Sequence, residues 1–150
     1  MQPAPDPHEL TDGLHLVFQA SPSGVRDSLA QMLAEPPLRD LIAEDRGTAE
    51  LVLAEVLNNV VEHASAARPG PVAVTLTRVV AGTRCLVSDQ GAAMPGGVLP
   101  EGRLPETDVA LVDLPEGGFG WHLVRCLTLD LRYDRLDGSN RLSFVLPRTA

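Results

Sequence analysis

The order of the predicted elements, β-α-α-β-β-loop-α-β-β, predicts an α+β fold, a two-layer sandwich with helices on one face of a mixed β-sheet. Two periodicities support it: alternating apolar residues predict short strands, and apolar residues at helical spacing predict the helices between them. The chain has 150 residues, of which 44% are hydrophobic. This length and composition are those of one folded domain.

Local start and stop signals delimit each predicted element. Ser21-Pro22-Ser23 begins the first helix, and Pro36-Pro37 ends it. Ala81-Gly82-Thr83 and Asp137-Gly138-Ser139-Asn140 each join two strands into a hairpin. The predicted strands are 14–20, 72–79, 84–88, 128–136 and 141–146, and the predicted helical segments are 38–44, about 48–66 and about 119–127.

The proline-rich start of the chain predicts a flexible N-terminal arm over residues 1–13, followed by one domain over 14–150. This arm lacks the basic and apolar regions of a signal peptide. The sequence also contains no apolar stretch of about 18 residues, the length of a membrane span. We therefore expect a cytoplasmic protein without membrane association.

Charge and cysteine content narrow the possible partners. The formal net charge is -8 and the pI is about 4.8, which disfavours direct nucleic-acid binding, because that affinity comes largely from lysine and arginine. An acidic surface favours protein partners with basic patches. Cys85 and Cys126 both lie in apolar stretches, which predicts two reduced, buried core cysteines.

The long helix carries an unusual polar face. One side of it is apolar, and the opposite side collects Glu55, Asn58, Asn59, Glu62 and His63. Adjacent asparagines disfavour a helix interior, and this face contains no lysine or arginine. Its carboxylate and amide oxygens suit Mg²⁺. The alternative interpretation is an ordinary solvent-exposed helix face.

Two glycine motifs follow the first hairpin. Asp89-Gln90-Gly91 comes just after a predicted strand, where a carboxylate can accept a hydrogen bond from an exocyclic amine, although a plain turn explains the same residues. Gly117-Gly118-Phe119-Gly120 opens a helix, and exposed N–H groups there can bind an anion, although a flexible hinge is the alternative. The proline-rich stretch 90–117 between the motifs predicts a functional loop or lid.

Together, in this order, the three motifs resemble the N, G1 and G2 boxes of the GHKL ATPases, which include gyrase, histidine kinases and the MutL-type repair ATPases. The chain is most similar to the anti-sigma serine kinases of the RsbW type, through the string Glu55-Val56-Leu57-Asn58-Asn59-Val60-Val61-Glu62-His63-Ala64. The resemblance covers about residues 14–147. It implies the Bergerat-type ATP-binding fold.

The resemblance also implies a role for individual residues. Glu55 would be the general base toward a protein serine, and Asn59 would hold Mg²⁺. Asp89, with Gly91 beside it, would recognise the adenine amino group, and Met94 would pack on the adenine. The phosphates would meet the backbone of Gly118, Phe119 and Gly120, and residues 90–117 would form the ATP lid, while Trp121 is expected to be a core residue.

The function implied by the resemblance is that of an ATP- and Mg²⁺-dependent serine/threonine protein kinase acting as an anti-sigma factor. Its partners would be a STAS-type anti-anti-sigma protein, which it phosphorylates, and a sigma factor, which it sequesters; a homodimer would fit relatives of this type. Ala93 and Glu116 depart from the family pattern, in which a glycine and a basic residue are usual. Two alternatives stay open: a nucleotide-binding or degenerate interaction module without kinase activity, and a detached histidine-kinase-like catalytic domain.

Overall fold

The computed structural model describes residues 13–64, 70–101 and 119–149. Except for Gly13, the predicted N-terminal arm lies outside the described residues. The same holds for the predicted end of the long helix at 65–66 and for the second half of the predicted lid.

Among the described residues, five strands form one sheet in the order β1-β2-β3-β5-β4. Every neighbouring pair is antiparallel. The α+β two-layer class predicted from the sequence is confirmed. The strands are β1 (Gly13–Gln19), β2 (Pro71–Val79), β3 (Gly82–Asp89), β4 (Leu129–Leu136) and β5 (Ser139–Pro147).

The sheet is antiparallel throughout, whereas the sequence analysis expected a mixed sheet. After the last helix, β4 does run in the same direction as β3. However, β5 inserts between β3 and β4, pairing antiparallel with both. The two strands of like direction therefore never become neighbours.

In the described part of the chain, three α-helices pack on the sheet: α1 (Pro22–Ala34), α2 (Ala43–Asn59) and α3 (Phe119–Leu127). Ser21 caps α1, its Oγ accepting a 3.0 Å hydrogen bond from the Gly24 N–H. Helix α2 begins at Ala43, earlier than predicted, and the short helical segment before it shrinks to a 3₁₀ turn, Leu38–Asp40. None of these three described helices has the length and apolar content that a membrane span requires.

The core lies between the helices and one face of the sheet. Alternate residues of the central strands point into it, and one side of α2 covers them. Its fully buried members include Met32, Val52, Leu53, Leu57, Val74, Leu76, Cys85, Val124 and Phe144. This packing holds α2 across the inner face of the sheet.

Only one of the two cysteines is a core residue. Cys85 is fully buried, and burial raises the pKa of its thiol. The prediction of a buried Cys126 is wrong, because this residue lies on the outer side of α3 and is exposed. There its Sγ lies 3.4 Å from Nε2 of His122, one turn earlier on the helix.

Candidate functional site

A cleft of about 550 Å³ opens between the C-terminal end of α2, the sheet and the chain after β3. Its volume is in the range of small-molecule sites. Its described lining is largely apolar with a few polar groups, and comprises Val56, Asn59, Val60, Glu62, His63, Ala64, Val87, Asp89, Ala92, Ala93, Met94, Pro95, Pro100, Trp121, Tyr133, Asn140 and Leu142. The buried indole of Trp121 belongs to the core, as predicted, and also to this wall.

The sheet contributes two rows of side chains to the cleft. Asp89 of β3 is the register partner of Asn140 of β5, and Asn140 is in turn the partner of Arg135 of β4. The next inward row is apolar, with Val87 opposite Leu142. The cleft thus has an apolar floor that ends in a polar row.

Asp89 is the most constrained acidic side chain of the cleft. It is 6% exposed, and its Oδ1 accepts hydrogen bonds from the Gly91 N–H at 2.8 Å and from Asn140 Nδ2 at 3.0 Å. Among the described residues, no donor reaches Oδ2. A carboxylate with one oxygen saturated by donors and the other free is ready to accept a bond from a ligand amine.

Gly91 lets the chain after β3 approach the end of α2 closely. The α2 helix continues into a π-helical turn, Val60–Ala64, and the Ala64 carbonyl accepts a 2.8 Å hydrogen bond from the Ala92 N–H. A side chain at position 91 would collide with the backbone carbonyl of Ala64. The glycine predicted beside Asp89 is therefore needed for this backbone contact.

We expect Gly91→Ala to destabilise the fold by about 1–3 kcal/mol, because the added methyl group meets backbone that cannot move aside cheaply. Urea denaturation measures the effect. Gly70→Ala is the control, since its methyl group would lie within 4 Å of none of the described atoms. Equal unfolding free energies for the two variants would show that the close approach of position 91 to the Ala64 carbonyl does not require glycine.

Asn59 and Asn58 have different environments, although they are adjacent. Asn58 is exposed, whereas Asn59 lines the cleft. Asn59 Nδ2 is buried and has no hydrogen-bond partner among the described residues. An unpaired buried amide costs about 1–3 kcal/mol, so its presence needs an explanation, and a ligand in the cleft would supply a partner.

Glu55 lies one turn before Asn59 and is half-buried. It is not part of the described cleft lining; its carboxylate occupies the space that a side chain at Gly120 would need. The candidate base therefore lies at the start of α3. Of the other predicted phosphate-binding residues, Gly118 is outside the described residues, and Phe119 is the first residue of α3.

Asn59 of the first motif and Asp89 of the second thus line one cleft, and Gly120 of the third lies against Glu55 of the first. Comparison with known proteins identifies the family. A family model described as a histidine kinase-like ATPase domain matches residues 18–146. The chain belongs to this family. No curated protein matches it.

As a member of this ATPase family, the chain is expected to use ATP, usually together with Mg²⁺. The residues present fit both. Asp89 Oδ2 can accept a hydrogen bond from the adenine amine, and Met94, which lines the cleft, offers an apolar contact for the adenine ring. Asn59 can turn its amide to present Oδ1 to a cation.

The polar groups that hold Asp89 were missed in the sequence. Asn140 is 6% exposed, and its Oδ1 accepts from the Tyr133 hydroxyl at 2.5 Å and from Arg135 Nη1 at 2.9 Å. One sequence signal points to it. Asn140 falls on the inward side of β5, in alternation with Leu142, and a polar residue on an otherwise apolar strand face is unusual.

Proposed function

We propose that this ATPase domain is an ATP-dependent serine/threonine protein kinase that acts as an anti-sigma factor. It would phosphorylate a STAS-type anti-anti-sigma protein and, in the alternate state, sequester a sigma factor. Such a protein acts in the cytoplasm, as a monomer or a homodimer. The single observation that carries the proposal is the position of Glu55, one helical turn from Asn59 and against the start of α3.

The chemistry of transfer agrees with this position. Asp89 would hold the adenine ring at the sheet. The triphosphate would extend toward the start of α3, where the backbone N–H groups favour anions. Mg²⁺, held by Asn59 and the phosphates, would neutralise charge that develops on the transferred group. Glu55 would accept the proton of an incoming serine hydroxyl.

The test is phosphoryl transfer to a purified partner. The protein is incubated with Mg²⁺ and ATP labelled at the γ-phosphate, together with STAS-type proteins from the same organism. Acid-stable label on a serine or threonine of the partner supports the proposal. Acid-labile label would instead identify phosphohistidine and the activity of a histidine-kinase catalytic domain.

Asn59→Ala is expected to weaken Mg²⁺-dependent ATP binding by about 2 kcal/mol, roughly 30-fold, because a ligand contact is lost. The variant should not lose folding stability, since the deleted Nδ2 has no partner in the described structure. Calorimetric titration with and without Mg²⁺, and urea denaturation, measure the two effects.

Asn58→Ala is the matched control for Asn59→Ala, because Asn58 is exposed on the same helix. It should bind Mg²⁺-ATP as the wild type does. Equal Mg²⁺-ATP affinities of the two variants would show that Asn59 does not hold the metal.

A nucleotide-dependent interaction module without transfer activity is the second candidate. Ala93 favours it, because this departure from the family pattern lies in the wall of the cleft itself. This candidate predicts that the protein binds ATP and a STAS-type or sigma-factor partner but leaves every partner unlabelled.

A further inference from the structure

A chain of hydrogen bonds connects the carboxylate of Asp89 to the β4–β5 hairpin. Asn140 Nδ2 donates to Asp89 Oδ1 at 3.0 Å and to the Ala92 carbonyl at 2.8 Å. Asn140 Oδ1 accepts from Tyr133 and Arg135. The three side chains that hold Asp89 in this way therefore come from strands distant in sequence from β3.

The direction of each bond in this chain is fixed. Arginine can only donate, so the atom of Asn140 that faces Arg135 must be the carbonyl oxygen. The amide nitrogen of Asn140 then has to point at Asp89 and the Ala92 carbonyl. A flipped amide would place donors against donors on one side and acceptors against acceptors on the other.

This fixed direction determines what Asp89 can recognise. Oδ1 is occupied by two donors, the Asn140 amide and the Gly91 N–H, whereas no donor among the described residues reaches Oδ2. Asp89 therefore presents Oδ2 as an acceptor. An acceptor at this position suits a purine with a 6-amino group and repels one with a 6-oxo group.

We propose that Asn140, oriented by Tyr133 and Arg135, is the positioning residue that makes the base site select 6-amino over 6-oxo purine nucleotides. The inference rests on the proposed use of ATP and adds the residues that set base selectivity. Buried hydrogen-bonding groups discriminate strongly because the wrong ligand leaves them unpaired.

Tyr133 connects the same network to the start of the lid. Its hydroxyl accepts a 3.0 Å hydrogen bond from the Met94 N–H and donates to Asn140 Oδ1. Arg135 also donates to the Gly91 carbonyl at 2.9 Å. The chain segment that would cover the base is thus held by the residues that orient Asp89.

The experiment compares Mg²⁺-ATP with Mg²⁺-ITP, which carries a 6-oxo group, by calorimetric titration of the full-length protein. We expect the wild type to prefer ATP by about 100-fold. Asn140→Ala and the milder Tyr133→Phe should each weaken ATP binding about tenfold and leave ITP binding unchanged or stronger. The ratio of the two affinities therefore falls, which a general loss of structure would not produce.

Arg141→Ala is the matched control, because Arg141 is the next residue of β5, is exposed, and bonds Asp134 instead. It should keep the wild-type ratio. If the wild type binds ATP but Asn140→Ala and Tyr133→Phe keep its ratio of ATP to ITP affinity, this inference is overturned and the proposed function is not. A wild type that binds neither nucleotide would overturn the proposed function, and this inference with it.

Discussion

Asp89→Asn is expected to weaken ATP binding by about 4 kcal/mol, roughly 1,000-fold. The Asn140 amide and the Gly91 N–H both donate to the inner oxygen of residue 89, so a new asparagine would turn its own carbonyl toward them. Its NH₂ group would then face the adenine amine, donor against donor. One hydrogen bond is lost, and two donors are left unpaired.

Calorimetric titration with Mg²⁺-ATP measures this loss, and a thermal unfolding curve checks that the variant is folded. Asp134→Asn is the control, since Asp134 is exposed on β4 and pairs with Arg141. We expect the control to bind as the wild type does. Tight ATP binding by Asp89→Asn would mean that another residue recognises the adenine amine.

Glu55→Gln is expected to lower the rate of phosphoryl transfer by about 10²–10⁴-fold and to leave ATP affinity unchanged. Glutamine has the same shape as glutamate but cannot accept a proton from the serine hydroxyl. Glu55 lies against Gly120 and not in the described lining of the cleft. Its replacement should therefore not disturb the adenine site or Asn59.

Transfer is measured with labelled ATP and the STAS-type partner, and affinity by calorimetry on the same samples. Glu50→Gln, an exposed position on the same helix, is the control. Unchanged transfer by Glu55→Gln would exclude this residue as the base. A loss of ATP binding in parallel would assign Glu55 to nucleotide binding instead of proton transfer.

Much of the fold could be predicted because its local signals are strong. The helix start at Ser21-Pro22 and the strand alternation both appear in the structure as expected. The strand order could not be predicted in the same way. Whether β5 inserts between β3 and β4 depends on long-range pairing, to which local turns contribute little information.

The candidate site was predictable to the extent that its residues lie in motifs. Asn59, Asp89 and Met94 do meet around the cleft, and Gly91 has a backbone reason to be glycine. Asn140, Tyr133 and Arg135 lie outside the three site motifs. Asn140 bonds Asp89 because the register places β5 beside β3, and Tyr133 and Arg135 bond Asn140 from β4. A residue recruited through sheet register leaves little trace in a single sequence.

The position of Trp121 has an optical consequence. The chain contains one tryptophan, and its buried ring is part of the cleft wall. All tryptophan emission therefore comes from a single indole next to the place where a ligand would lie. Ligand binding in the cleft is therefore expected to change the intrinsic fluorescence of the native chain, so that binding can be followed without a dye or an engineered label.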